Sequence, residues 1–115
     1  MIEVPEKLKG ERHVVRRGGV GYPVEFEDLS DPPESLYLIG DPASMESSGL
    51  AVIGSRRATP YGRSCAKRFA HRAAERGVLV VSGGAKGCDS AAHEAALDAM
   101  GKTVVFLGGG CNWIY

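Results

Sequence analysis

The sequence predicts an α/β fold: a partial parallel sheet built as βαβαβ, preceded by a short irregular N-terminal segment. Two observations carry this reading. From Leu50 onward, apolar runs bounded by glycine alternate with longer stretches of helical period. The helical stretches also carry their own start and stop residues, as crossover helices between parallel strands do.

In order, Leu50–Gly54 is expected as strand, Pro60–Arg76 as helix, Val78–Ser82 as strand, Ser90–Met100 as helix and Thr103–Leu107 as strand. Thr59 is a good N-cap for the first helix, Pro60 occupies the favoured N1 position, and Gly77 stands where a left-handed C′ residue is wanted. In that helix Ala66, Phe69, Ala70, Ala73 and Ala74 recur at three and four, while Arg68, Arg72 and Arg76 line another face. The second helix repeats the grammar, with Asp89 as N-cap and Gly101 closing it. Right-handed crossovers place consecutive strands side by side, so the predicted strand order is 3-2-1. The first strand then lies at an exposed edge, which leads us to expect a homo-oligomer.

Before Leu50 the signal is weaker. Tyr37–Ile39 reads as a short strand, Asp31-Pro32-Pro33 as a turn or extended piece, and residues 1–21 as an irregular lead-in. The division expected is an extended segment over 1–46 and a sheet domain over 47–115. No internal repeat is visible.

At 115 residues with 43% hydrophobic but only 7% aromatic residues, the chain has room for one modest core of Ala, Val, Leu and Ile. Its 16 glycines cluster at the ends of apolar runs. Cys65, Cys88 and Cys111 are odd in number and widely spaced, which indicates neither a disulfide framework nor a zinc site and fits a reducing cytoplasm. No signal peptide and no apolar run near the roughly 20 residues of a membrane span are present, so a soluble chain without a membrane partner is expected.

Net charge is zero, yet residues 1–46 carry five Lys/Arg against ten Asp/Glu. Residues 56–87 reverse this, with Arg56, Arg57, Arg63, Lys67, Arg68, Arg72, Arg76 and Lys86 against Glu75 alone. Such asymmetry suits a polyanion or a contact with the acidic segment; a solvated helix face is the plainer alternative.

Each predicted strand ends in a glycine-bearing loop: Gly54 to Thr59, Ser82 to Gly87, and Gly108 to Gly110. In a parallel sheet all three share one edge, where ligands of open α/β sheets bind and where glycine lets backbone N–H groups approach a phosphate. The phosphate-binding candidates are therefore Gly54, Ser55, Arg56, Thr59, Tyr61, Gly62, Ser82, Gly83, Gly84, Lys86, Gly87, Gly108 and Gly109. Ser55 offers a hydroxyl and Arg56 a bidentate fork, beside the positive end of the helix starting at Pro60. Lys86 sits in a tight loop with no apolar contact to explain it. Arg57 is as readily a solvated surface residue, whereas Asp89 reads first as a helix cap and His93 as a packed or surface histidine rather than a catalytic base. Tyr61 and Trp113 are candidates to stack on a base, with packing an equal alternative for Trp113.

Neither G-x-G-x-x-G after the first strand nor the G-x-x-x-x-G-K-[ST] spacing is met, which argues against an ordinary dinucleotide site and a P-loop ATPase. Ser55, Ser82 and Cys88 have no His and carboxylate at a recognised spacing, and no close His/Cys pair suits a metal. We therefore expect no enzyme, no metal and no cofactor.

These residues resemble the DprA/Smf family. The resemblance runs in order through Ala51-Val52-Ile53-Gly54-Ser55-Arg56, Ala58-Thr59, Tyr61-Gly62, Ser82-Gly83-Gly84-Ala85-Lys86-Gly87-Cys88-Asp89, Ala91-Ala92-His93, Ala96-Leu97, Gly101-Lys102-Thr103 and the closing Gly109 to Tyr115. Upstream, Tyr22-Pro23, Leu29, Asp31-Pro32-Pro33, Leu36-Tyr37 and Gly40 match the segment that precedes the Rossmann-like domain in that family. At Cys88 the family carries Ile or Val, and at Gly84 commonly Leu. Its pattern runs on past Tyr115 through further strands and an Arg-Asn-Arg motif, so we expect a truncated product or a fragment: a partial, Rossmann-like half-sheet.

The resemblance implies single-stranded DNA binding, with the Gly-Ser-Arg loop among the contacts, together with dimerisation and loading of the RecA recombinase in natural transformation. Two other classes stay open. A LOG-like phosphoribohydrolase shares a related fold, but its Pro-Gly-Gly-x-Gly-Thr motif is missing; a small-ligand sensor is the other.

Overall fold

The computed structural model describes the backbone of residues 2–3, 10–111 and 113–114 and, among these, the side chains of residues 10–111. The chain forms two compact units, residues 1–46 with 109–115, and residues 47–108.

In the first unit, β1 (Ile2–Glu3) is joined by β2 (Arg12–Arg16) and β3 (Ser35–Ile39). β2 pairs antiparallel with β3, from Arg12 opposite Ile39 to Arg16 opposite Ser35. Residues 1–21 were expected to be irregular, and Arg12–Arg16 corrects that. Val15 is buried while Val14 points out, the alternation of a strand with one covered face. Between the strands, a 3-10 turn over Val24–Asp28 is tied down by Tyr22, whose hydroxyl donates to Pro33 O at 2.7 Å. The Tyr22 ring meets Phe26 edge-on at 5.7 Å. Arg17 grips Glu27 at 2.8 Å, and this pairing holds the Glu27 carboxyl below its usual range.

The second unit starts with β4 (Gly49–Ala51), then α1 (Pro60–Glu75), β5 (Leu79–Gly83), α2 (Cys88–Asp98) and β6 (Thr103–Phe106). Its sheet is parallel, ordered β4-β5-β6, the predicted 3-2-1 arrangement. β7 (Trp113–Ile114) belongs to the first unit, where it pairs antiparallel with β1. The Trp113 side chain lies outside the described residues.

α1 matches its predicted caps. The Thr59 hydroxyl accepts from the Gly62 N–H at 3.0 Å, which satisfies one of the first-turn donors and is typically worth about 1 kcal/mol. At the other end Gly77 adopts φ +74, with Gly77 N–H on Ala74 O and Val78 N–H on Ala73 O, the paired bonds of a Schellman stop.

α2 differs from expectation at both ends. It begins two residues early because Gly87, at φ +83, is its N-cap and accepts the Ala91 N–H. Asp89 therefore lies inside the first turn, buried, with Oδ1 lacking a hydrogen-bond partner among the described residues. At the C-terminus the left-handed residue is Met100 (φ +58), and Gly101 supplies the second bond of the stop, to Ala96 O. Gly101 is needed for another reason: a Cβ there would lie 2.5 Å from that of Ala74.

The core is Ala70, Ala74, Val80, Ala92, Ala95 and Ala96, with Val52, Ala73 and Ala99 against it. The small side chains of alanine let α1 and α2 approach closely. Phe69, read from its spacing as part of the inner face, is 62% exposed; at 3.6 residues per turn it stands about 100° from Ala70.

Candidate nucleic-acid interface

The carboxyl ends of β4 and β5 carry two loops in backbone contact. The Cys88 N–H donates to Ser55 O at 3.4 Å. A Cβ on Gly87 would run into Ser55 O and would lie 2.9 Å from Arg56 O. A Cβ on Gly54 would lie 2.6 Å from Cys88 Sγ. The predicted loops thus meet glycine to backbone, and Arg56, Arg57 and Lys86 are all exposed on the same sheet edge. The loop after β6 adjoins them: a Cβ on Gly84 would lie 2.8 Å from Leu107 Cδ2, one residue before Gly108. Gly109 belongs with the first unit.

The loop after β4 is shaped by its own polar groups. Ser55 Oγ accepts the Arg57 N–H at 3.0 Å, which turns the backbone and leaves the hydroxyl proton to donate. Thr59 is committed as the cap of α1. Arg63 reaches back from the first turn of α1 to Ala58 O at 3.0 Å and braces the loop. Tyr61 is 79% exposed beside Gly62, and its bond to the Cys65 thiol pushes its hydroxyl pKa up.

Beneath the edge, two polar residues hold the architecture. Ser82 is buried and its hydroxyl donates to Val52 O at 2.6 Å, stitching the end of β4 to β5. Its hydroxyl proton is thus committed to the backbone beneath the loops. His93 spans Gly83 O (Nε2, 2.9 Å) and Thr103 Oγ1 (Nδ1, 2.6 Å), clamping the end of β5 to β6. Gly83 O only accepts, so Nε2 donates to it, while the single hydroxyl proton of Thr103 serves either Nδ1 or Val80 O, which lies 2.9 Å away. This is a packed histidine, the reading the sequence favours over a catalytic base.

Arg63, His93 and Cys88 shape the interface without having been among the predicted site residues. Arg63 had a readable signal, an arginine four residues past an N-cap threonine; the packing of Cys88 against Gly54 had none. A crevice of about 430 Å³ lined by Ser47, Gly77, Leu79, Met100 and Gly101 lies at the amino ends of the strands, away from this edge. Among the described residues no group of three His, Cys, Asp or Glu is placed to hold a metal ion, and no helix is long and apolar enough to cross a membrane.

The edge chemistry suits an extended anion: backbone turned by glycines, two basic loops and the start of α1. Comparison with known proteins agrees with this class. The family described as DNA recombination-mediator protein A matches residues 13–115. Protein Smf of Escherichia coli is 36% identical over 103 residues, covering 90% of this chain and 28% of its own length. The solved DNA processing protein A of Streptococcus pneumoniae superposes with a TM-score of 0.83 at 31% identity, over 90% of this chain and 36% of that one. That of Helicobacter pylori, described for its single-stranded DNA binding mode, gives 0.81 at 33% identity, over 96% and 48%. The present chain thus spans under a third of the Escherichia coli protein and under half of either solved chain, within a Rossmann-like domain. Sequence match, strand order and loop geometry together make this chain a member of the DprA/Smf family of DNA-processing, recombination-mediator proteins.

Proposed function

We propose that this chain binds single-stranded DNA through its phosphates at the joined loops Gly54–Thr59 and Gly83–Gly87. The observation that carries this is the close approach of Gly87 to Ser55 and Arg56, which sets the arginine loop and the lysine loop side by side. Arg56 forks a phosphate, Lys86 adds a point charge, and the Ser55 hydroxyl and loop N–H groups donate to the remaining oxygens. Gly108 is proposed as a flank where the strand passes close to backbone. The reading is supported by the single-stranded DNA binding described for the Helicobacter pylori relative.

The role is that of a cytoplasmic binding protein, without catalysis or cofactor, that presents single-stranded DNA to RecA as a homo-oligomer during natural transformation. The division proposed is an N-terminal segment over 1–46 and a sheet domain over 47–115, with the loops Gly54–Thr59 and Gly83–Gly87 in the second. Fluorescence anisotropy with labelled oligo-dT at rising salt is the test, with mononucleotide as competitor. Affinity falling steeply with salt, at a log–log slope of roughly −0.7 per neutralised phosphate, and no effect of mononucleotide is the expected result. Tight mononucleotide binding with no oligo-dT binding at low salt would overturn it in favour of a LOG-like enzyme or a small-ligand sensor.

A further inference from the structure

The outward side of α1 holds a second cationic feature that the loop site does not use. At 3.6 residues per turn, Arg68 and Arg72 project within roughly 20° of Tyr61, and Arg76 within about 60°. All four are exposed, opposite the buried Ala66, Ala70 and Ala74. Among the described residues, Arg68, Arg72 and Arg76 have no ion pair. Glu75, the one acid on the helix, is taken by His71 at 2.7 Å, and Glu94 of α2 faces Lys67 at 3.8 Å. The stripe is therefore a ladder of like charges at i, i+4 and i+8, an arrangement that repels along an isolated helix. The helix dipole rewards cations only in the last turn, which favours Arg72 and Arg76 but leaves Arg68 unexplained. Residues 47–108 as a whole carry nine Lys/Arg against four Asp/Glu, so the unit does not neutralise the stripe from within.

We propose that this stripe is a tracking subsite that carries a single-stranded DNA backbone away from the loop edge, with Tyr61 stacking a base at the entry and Arg68, Arg72 and Arg76 meeting phosphates. It rests on the loop-site reading above and adds a length and a direction to it. From Tyr61 to Arg76 the helix runs about 22 Å at 1.5 Å per residue. Phosphates of one strand lie at least about 3.4 Å apart, so the stripe has room for at most about six nucleotides. Tyr61, 79% exposed and at the head of the stripe, favours a single strand, whose bases offer free faces for stacking. The acidic first unit of another copy is the rival occupant, but its Glu27 and Glu34 are already paired with Arg17.

The test compares labelled dT4 and dT12 on the 115-residue chain and on the double variant Arg68→Gln/Arg72→Gln, with circular dichroism melts to show that both fold. Gln keeps helix propensity. The wild-type chain is expected to prefer dT12 by tenfold or more. In the double variant dT4 affinity should stay, dT12 affinity should fall towards that of dT4, and the salt slope for dT12 should drop by about 1.4, two phosphates' worth. An unchanged dT12 affinity and slope, with Arg56→Ala still weakening both ligands, overturns the stripe and leaves the loop site standing. Silence of Arg56→Ala on both ligands, with dT12 still lost in the double variant, overturns the loop site instead. A change in oligomeric state by light scattering, without DNA binding in either protein, makes the stripe a protein-docking surface and overturns both.

Discussion

Gly87 meets Ser55 backbone to backbone: at φ +83 it caps α2, and the space its side chain would need is filled by the Ser55 carbonyl. One residue thus joins two loops. Gly87→Ala must accept a backbone at φ +83 and ψ −124, a mirror-image extended conformation open essentially to glycine alone and costing about 1–3 kcal/mol, and must also push the arginine loop away. Chemical denaturation should show at least that loss, and oligo-dT affinity should fall together with it. An unaltered affinity in a folded Gly87→Ala protein would separate loop junction from DNA site.

Met100 offers the opposite case. It holds a left-handed conformation at φ +58 while 94% exposed, so its side chain repays none of the backbone strain. Met100→Gly should stabilise the chain by roughly 0.5–1 kcal/mol after the greater entropy of glycine in the unfolded chain is counted. The denaturation midpoint should rise, with oligo-dT binding unaffected.

These two positions mark how far the sequence was legible. The stop of α1 was readable because Gly77 is the residue type a left-handed turn favours; the stop of α2 was not, because methionine there opposes local preference and only the fit of Gly101 against Ala74 explains the shift. Strand order and the common loop edge followed from right-handed crossovers alone. β2 escaped notice because its five residues gain strand character only from β3, some twenty residues away. Phe69 was misplaced since helical period identifies a stripe but not its centre when alanines flank it on both sides. The contact of Gly87 with Ser55 depends on three-dimensional loop paths that no spacing records.

The first unit should lose stability in acid through one pair. Glu27 is held below its ordinary value of 4.5 chiefly by its hydrogen bond to Arg17. A lowered folded-state pKa means the pair contributes fully above about 4.5 and is lost as pH falls through the lower folded value. Thermal melts of wild type and Glu27→Gln should therefore differ at neutral pH and converge as pH falls through that lowered value. A gap of constant size down to the acid limit of the folded state would assign the effect to packing.

The edge of the parallel sheet should mediate self-association. Among the described residues β4 pairs only with β5, and Leu50 in β4 and Ile53 just beyond it are 39% and 74% exposed. An unpaired apolar edge recruits a second strand, and a charge placed on it blocks the approach. Light scattering should show a concentration-dependent dimer or larger species for the wild type and a monomer for Ile53→Lys. A cooperative, monomeric wild-type chain at high concentration would contradict this.

Arg56 and Lys86 should contribute unequally to DNA binding although they stand on adjoining loops. A guanidinium makes two parallel bonds to one phosphate, whereas an ammonium acts as a point charge that water and salt screen readily. Arg56→Ala should therefore cost on the order of 1–3 kcal/mol in oligo-dT affinity, and Arg56→Lys should recover only part of it. Lys86→Ala should act mainly on the salt dependence, lowering the log–log slope by roughly 0.7, and Lys86→Arg should restore it in full. Anisotropy titrations of the four variants across a salt series separate the two roles. Equal losses for Arg56→Ala and Lys86→Ala, each repaired by the opposite cation, would mean that the edge reads charge alone and that the fork of Arg56 has no special part in holding the strand.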